Sequence, residues 1–369
     1  MSVIIDLFRE GQSLWLDYIG RSLFLDAGLK RLVNAGLRGV TSNPTIFYKA
    51  IAGTDDYDDT IRDLLQADHE ISAVGLYRWL TIQDTQAAAD ILRGVYESSG
   101  AADGYVSLEV SPHLAQDTEG TVQAARRLWR AVARPNLMVK VPATPEGIPA
   151  IERLIAEGIN VNATLLFSVS RYQAVAEAYI RGLSLSPEPG RVASVASLFV
   201  SRVDSKADAA LDEIGTAAAL RLKGKIGIAN AKAVYDRFKA VFQGEAFAQQ
   251  QARGARVQRP LWASTATKNP HYSDLLYVEG LIGPNTVNTV PPQTLDIFMQ
   301  RGEVRATLEL DMEITRRDLA ELQALGVDLE AIALELEKEG VAAFAESYDR
   351  LLEALREKCH AVAQEYAAS

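Results

Sequence analysis

The residue best suited to chemistry in this sequence is Lys140, which sits in the stretch 137–144, LMVKVPAT. Leu137, Met138, Val139 and Val141 read as an interior strand, and lysine is seldom fully buried without a partner. Removal from water disfavours an ammonium and leaves a neutral amine. Such an amine attacks a carbonyl carbon to form a Schiff base. The competing reading is a strand-end lysine whose stem crosses apolar neighbours while its head stays in water. The octapeptide alone leaves both readings open.

The elements that must position Lys140 shift the balance. Short strand-like runs at 13–19, 39–47, 104–111, 137–144, 159–167, 191–200, 261–264 and 277–283 alternate with helical stretches at 23–35, 56–98, 119–133, 146–157, 168–183 and 206–242. In the helix 146–157, Ile148, Ile151, Leu154 and Ile155 fall on one face. Residues 243–258 are rich in Gln, Arg and Gly and read as an exposed loop or insertion. Eight strands alternating with helices predict an α/β fold, a (β/α)8 TIM barrel whose active site lies at the C-terminal strand ends. A single barrel domain over residues 1–369 is expected, with a helical extension at about 303–369 packed on its exterior.

Strand parity sharpens this. Asn160, Asn162 and Thr164 share one face of the fifth run, Ser107 and Glu109 one face of the third, and Val195, Ser197 and Phe199 one face of the sixth. In the fourth, Met138, Lys140 and Pro142 do so. A purely structural barrel would fill these inward positions with Val, Ile and Leu. Polar groups there must satisfy one another, water or a ligand, because unpartnered burial costs several kcal/mol. Lys140 is therefore expected inside.

Composition narrows the function. The 369 residues are 48% hydrophobic and 23% charged, with a net charge of −10, so no broad basic face is available for nucleic acid. The only cysteine is Cys359, which precludes an intrachain disulfide. No apolar stretch of roughly 18 residues is present, and neither a membrane partner nor an export segment is expected. A cytoplasmic location follows as the default. The four histidines are too scattered to suggest a metal site, and the acidic run at 335–340 reads as a solvated helix face.

The segments LWLDYI, GVTSNPTIF, SLEVSP, MVKVPAT followed by EGI, NVNATLLFS, ASLFVSRVDSK and WASTATKNP resemble the transaldolase family, in the expected order from about residue 13 to 290. TSNPTIF and NATLLFS are the specific ones. The resemblance implies a Schiff-base aldolase on a (β/α)8 barrel with its reactive lysine on the fourth strand, the ordinal that strand counting gives Lys140. It implies transfer of a dihydroxyacetone unit between sugar phosphates in the pentose phosphate pathway. Sedoheptulose 7-phosphate or fructose 6-phosphate would be donors; glyceraldehyde 3-phosphate or erythrose 4-phosphate would be acceptors. No cofactor is called for, since the iminium is itself the electron sink. A monomer or homodimer is expected.

Carried onto this chain, the family pattern makes Asp17 the acid/base, at the inward parity of the first run. Glu109 and Thr164 would hold a proton-shuttling water. Asn43, Asn162 and Ser197 would bind hydroxyls of the three-carbon fragment, with Asn43 fixed in extended geometry by Pro44 and Thr41 on the same wall. Phe199 would form an apolar wall. Arg202, Ser264 and Lys268 would bind phosphate. Lys268 departs from the family pattern, which places an Arg just after the serine. Two other readings stay open: an aldolase that releases the free fragment, and a non-catalytic sugar-phosphate-binding barrel.

Overall fold

Runs with one apolar and one polar face need a closed ring to bury both, and the chain forms one. A computed structural model describes residues 2–24 and 27–368, with side chains to 362. Strands β1 (Gln12–Leu16), β2 (Gly39–Val40), β3 (Tyr105–Glu109), β4 (Leu137–Pro142), β5 (Val161–Leu166), β6 (Ser194–Phe199), β7 (Arg259–Ala263) and β8 (Thr286–Val290) pair in chain order, and β8 closes on β1. All pairs are parallel. The protein is a (β/α)8 barrel with C-terminal helices.

Parity divides the core as expected. Outward Val106, Leu108, Val139, Val141, Val161 and Ala163 pack in one apolar cluster with the surrounding helices. Inward Trp15, Tyr105, Met138, Val195, Leu261 and Val287 form a second cluster that plugs the lower lumen. Each such side chain stabilises the fold by about 2 kcal/mol, so the ring can hold its shape while its upper lumen stays polar. Gly39 is required here: a Cβ at this position would lie 2.5 Å from the Trp15 indole.

The loops explain where sequence and structure part. The run expected as a strand at 39–47 pairs only at Gly39–Val40, because Asn43 ends it by capping the helix Pro44–Ala52. The run at 277–283 is not the eighth strand. Tyr277, Val278, Leu281 and Ile282 are buried at helical spacing, four residues apart in pairs, and Leu276–Glu279 is a short helix. The strand lies further on, at Thr286–Val290. The expected loop 243–258 contains the helix Glu245–Gln251, held by buried Phe247. The helix expected over 23–35 runs over Gly28–Asn34, and residues 25 and 26 lie outside the described residues.

The C-terminal extension differs most from expectation. Residues 303–311 are not helical, and the helices are Met312–Ala324 and Leu329–Ala368. The second lies on the outside of the ring, across its mouth, packing against Ser201–Ile214, β5, Pro44–Ala52 and Ala73–Ser98. The acidic run 335–340 anchors it rather than merely facing water: Glu335 and Glu339 bind Lys206 at 2.6 and 2.7 Å, and Glu337 binds Arg171 at 2.9 Å. On the far side a Thr45–Ser347 hydroxyl pair (2.8 Å) and His113–Asp349 (2.8 Å) hold it. Close approach is possible at Gly340, where a Cβ would meet Leu165 Cδ2 at 2.9 Å.

Candidate active site

Lys140 lies inside the barrel mouth and is 4% exposed. Strand register sets its neighbours: Glu109 of β3 and Asn162 of β5 are its partners on either side. Its amine donates to the Ser42 carbonyl at 3.1 Å and stands 3.4 Å from Glu109 Oε2. That separation is an ion-pair distance rather than a hydrogen bond of normal length. Among the described residues, neither Glu109 oxygen has a hydrogen-bond partner, nor does the buried Thr164 hydroxyl. Burial pushes the Glu109 carboxyl up to about 7, with Lys140 opposing and the charge of Asp17 adding.

Asp17 follows β1, and its backbone N–H donates to Val290 at 2.8 Å. Its carboxylate accepts from Thr41 Oγ at 2.7 Å, and Thr41 meets Thr289 Oγ at 2.8 Å. Burial raises the Asp17 carboxyl above its ordinary value, while the charge of Lys140 and the Thr41 hydrogen bond pull the other way. One lysine is thus flanked by two carboxyls that both resist ionisation, an arrangement able to pass protons in either direction.

Below Lys140 a polar layer crosses the lumen. Asn162 donates to Ser107 Oγ at 3.0 Å and accepts from Ser197 Oγ at 2.7 Å. Its carbonyl and one N–H are thereby committed, and the layer fixes the floor of the site. β5 bulges between Ala163 and Leu166, with Leu165 at φ 60°. That left-handed residue, costly for leucine, packs towards the C-terminal helix at Gly340.

A cavity of about 460 Å³ opens above Lys140. Eight of the eleven sequence-derived site residues line it: Asp17, Asn43, Lys140, Thr164, Ser197, Phe199, Arg202 and Ser264. Asn43 has the extended backbone that Pro44 imposes (φ −156°, ψ 168°), and its Oδ1 accepts from Ile46 N–H at 2.9 Å. Only its amide nitrogen is left for a ligand. Ser264, at φ 53°, contacts Ser201 Oγ at 3.0 Å and accepts Ser201 N–H at its carbonyl. Arg202, in the first turn of the helix Ser201–Ile214, stacks over Phe199 at 5.5 Å and has no ion-pair partner among the described residues. Burial lowers its guanidinium from the ordinary value, with Glu339 opposing.

Three of the eleven do not line the cavity. Glu109 and Asn162 sit behind its wall. Lys268 lies outside it, with its stem largely in solvent and its ammonium partly enclosed, and borders a neighbouring cavity of about 290 Å³ with Asp204, Asp208 and Tyr272. Partial burial and the charge of Arg202 hold its ammonium below the usual lysine range, so the two cations feel one another. Sequence reasoning missed the Ser42 carbonyl, Thr289 and Phe344. Thr289 was open to parity analysis had β8 been placed at 286–290; the other two carry no sequence signal.

Among the described residues no helix is long and apolar enough to cross a membrane. Comparison with known proteins gives one consistent result. The model of a family described as transaldolase/fructose-6-phosphate aldolase matches residues 14–355. A transaldolase of Thiobacillus denitrificans is 48% identical over 357 residues, covering 95% of this chain and 99% of its own. Those of Frankia alni (46%, covering 94% and 95%) and Mycolicibacterium smegmatis (45%, covering 94% and 95%) are similar. With these matches over nearly its whole length, and with this lysine-centred barrel mouth, the chain belongs to the transaldolase/fructose-6-phosphate aldolase family of enzymes.

Proposed function

We propose that the protein is a transaldolase that moves a dihydroxyacetone unit from a ketose phosphate to an aldose phosphate through a Schiff base at Lys140. The observation that carries the reading is the Lys140 amine, open to the cavity, 3.4 Å from a carboxyl that has no hydrogen-bond partner among the described residues. Near-complete coverage of relatives named transaldolase favours transfer over release of the free fragment.

Lys140 adds to the ketone, and loss of water gives the iminium; Glu109 and Thr164, otherwise unpartnered, bind and relay through that water. Asp17 takes the proton of the hydroxyl on the departing carbon. The carbon–carbon bond breaks, the aldose leaves as an aldehyde, and the electron pair flows into the iminium to give a neutral enamine. The enamine carbon then attacks the acceptor aldehyde, Asp17 returns the proton, and water frees Lys140. Asn43 and Ser197 orient the hydroxyls of the fragment above the Asn162 layer. Arg202, without an ion-pair partner among the described residues and placed at a helix N-terminus, binds phosphate with Ser264, and Lys268 adds its charge from outside the cavity wall.

Borohydride reduction with fructose 6-phosphate tests this. Covalent mass gain at Lys140, together with glyceraldehyde 3-phosphate formation that depends on erythrose 4-phosphate, is expected. Absence of the adduct would leave only a sugar-phosphate-binding barrel.

A further inference from the structure

Phe344 reaches the site from outside the barrel. It lies on the helix Leu329–Ala368, is 3% exposed, lines the cavity, and places its ring centroid 5.6 Å from Lys140 Nζ. Lys140 is otherwise bounded by the polar Ser42 carbonyl and Glu109. The ring is therefore an apolar surface at the amine on the mouth side, where bulk water would enter. Its place is fixed rather than incidental. The Gly340–Leu165 approach sets the depth of the helix, Lys206 and Arg171 hold one side, and Ser347 and Asp349 hold the other.

We infer that Phe344 is a specificity-determining residue that roofs the Schiff-base nitrogen and sets how the bound three-carbon enamine divides between transfer and release. This rests on the transaldolase reading above. While the nitrogen is an iminium, its positive charge lies within reach of the ring face, which favours the cation without offering a proton. Once the enamine forms, two outcomes compete. Attack of its carbon on an acceptor aldehyde makes the new carbon–carbon bond. Protonation of the same carbon by water regenerates the iminium; a second water then adds, the carbon–nitrogen bond breaks, and free dihydroxyacetone and the lysine amine result. The proton taken up at carbon is matched by the one lost when water adds to the iminium, so the second route consumes one water in net and needs no other reactant. A ring that excludes water suppresses it without touching the first.

The test measures, for wild type, Phe344→Leu and Phe344→Ala, dihydroxyacetone released from fructose 6-phosphate alone against fragment transferred to erythrose 4-phosphate. Borohydride trapping and a thermal melt accompany each. The ratio of release to transfer should rise about tenfold in Phe344→Ala and less in Phe344→Leu, which keeps apolar bulk, with the adduct retained. Equal ratios in wild type and a folded, trappable Phe344→Leu and Phe344→Ala would overturn the inference and leave the Schiff-base reading standing. A wild type that traps no adduct would overturn that reading instead. Should Phe344→Ala melt early, an unchanged ratio in Phe344→Leu still refutes the roof.

Discussion

Two buried ionic clusters in this molecule use similar groups to opposite ends. At the β1 end, Arg21 donates to Asp84 at 2.8 Å and to Thr60 at 3.0 Å, and Tyr57 donates to the other Asp84 oxygen at 2.6 Å. Burial raises the Asp84 carboxyl, but Tyr57 and Arg21 answer it with hydrogen bonds. Around Lys140 the carboxyl of Glu109 is equally buried, yet among the described residues it has one cation at 3.4 Å and no hydrogen bond. The first cluster is closed and ties a loop to the helix Ala73–Ser98. The second is left open, and on the proposed reading a substrate and a water would supply its missing partners. Incomplete satisfaction, rather than burial or charge, separates chemistry from architecture here.

The contrast can be broken most forcefully at the amine. Lys140→Ala should lower kcat/KM by on the order of 10⁴-fold and abolish the borohydride adduct, while its melting temperature falls modestly, since buried Glu109 loses its cation and must take up a proton instead. Retained turnover would end the proposal. Asp17→Ala should still trap the adduct but slow carbon–carbon cleavage about 10²-fold or more; a normal rate would reduce Asp17 to a partner of Thr41.

Glu109→Gln sharpens the comparison through pH. The folded-state value of about 7 lies above the ordinary 4.5, so the protonated carboxyl favours the folded chain. That contribution is whole below the lower value and is lost as pH rises through the upper one. The variant should therefore gain stability relative to wild type across this window, by up to about 3 kcal/mol, read from denaturant melts. Activity should fall about 10²-fold as the water relay is lost. A stability difference that is flat with pH would show that Glu109 is satisfied after all. At the closed cluster, Asp84→Asn should cost about 3 kcal/mol of stability by leaving Arg21 uncompensated, with the Lys140 adduct still formed by the folded fraction.

Legibility followed the same divide. The lysine strand was readable because V-K-V puts a cation at an inward parity that apolar neighbours on both sides fix, and Asn43 because Pro44 allows its backbone one region. The β8 position was not. Tyr277, Val278, Leu281 and Ile282 look like a strand when counted as apolar residues, and only their four-residue spacing, which competes with a nearby Gly and Pro, marks a helix and turn. Where the C-terminal helix goes was out of reach of periodicity. Its alternating charges describe a helix, while its path across the mouth depends on Lys206, Arg171 and the small Gly340, all long-range matches that one segment cannot announce.

Phe344 follows the last strand by a long stretch of chain, so during synthesis the eight-stranded ring can close around Lys140 before the ring's cover has left the ribosome. A nascent chain at that stage would hold an amine open to cellular aldehydes and ketones with little to select among them. On the proposed reading, docking of the final helix is then the step that would give this amine its selectivity. Because that docking leans on exposed ion pairs such as Lys206–Glu335, ionic strength should set how firmly the cover stays down.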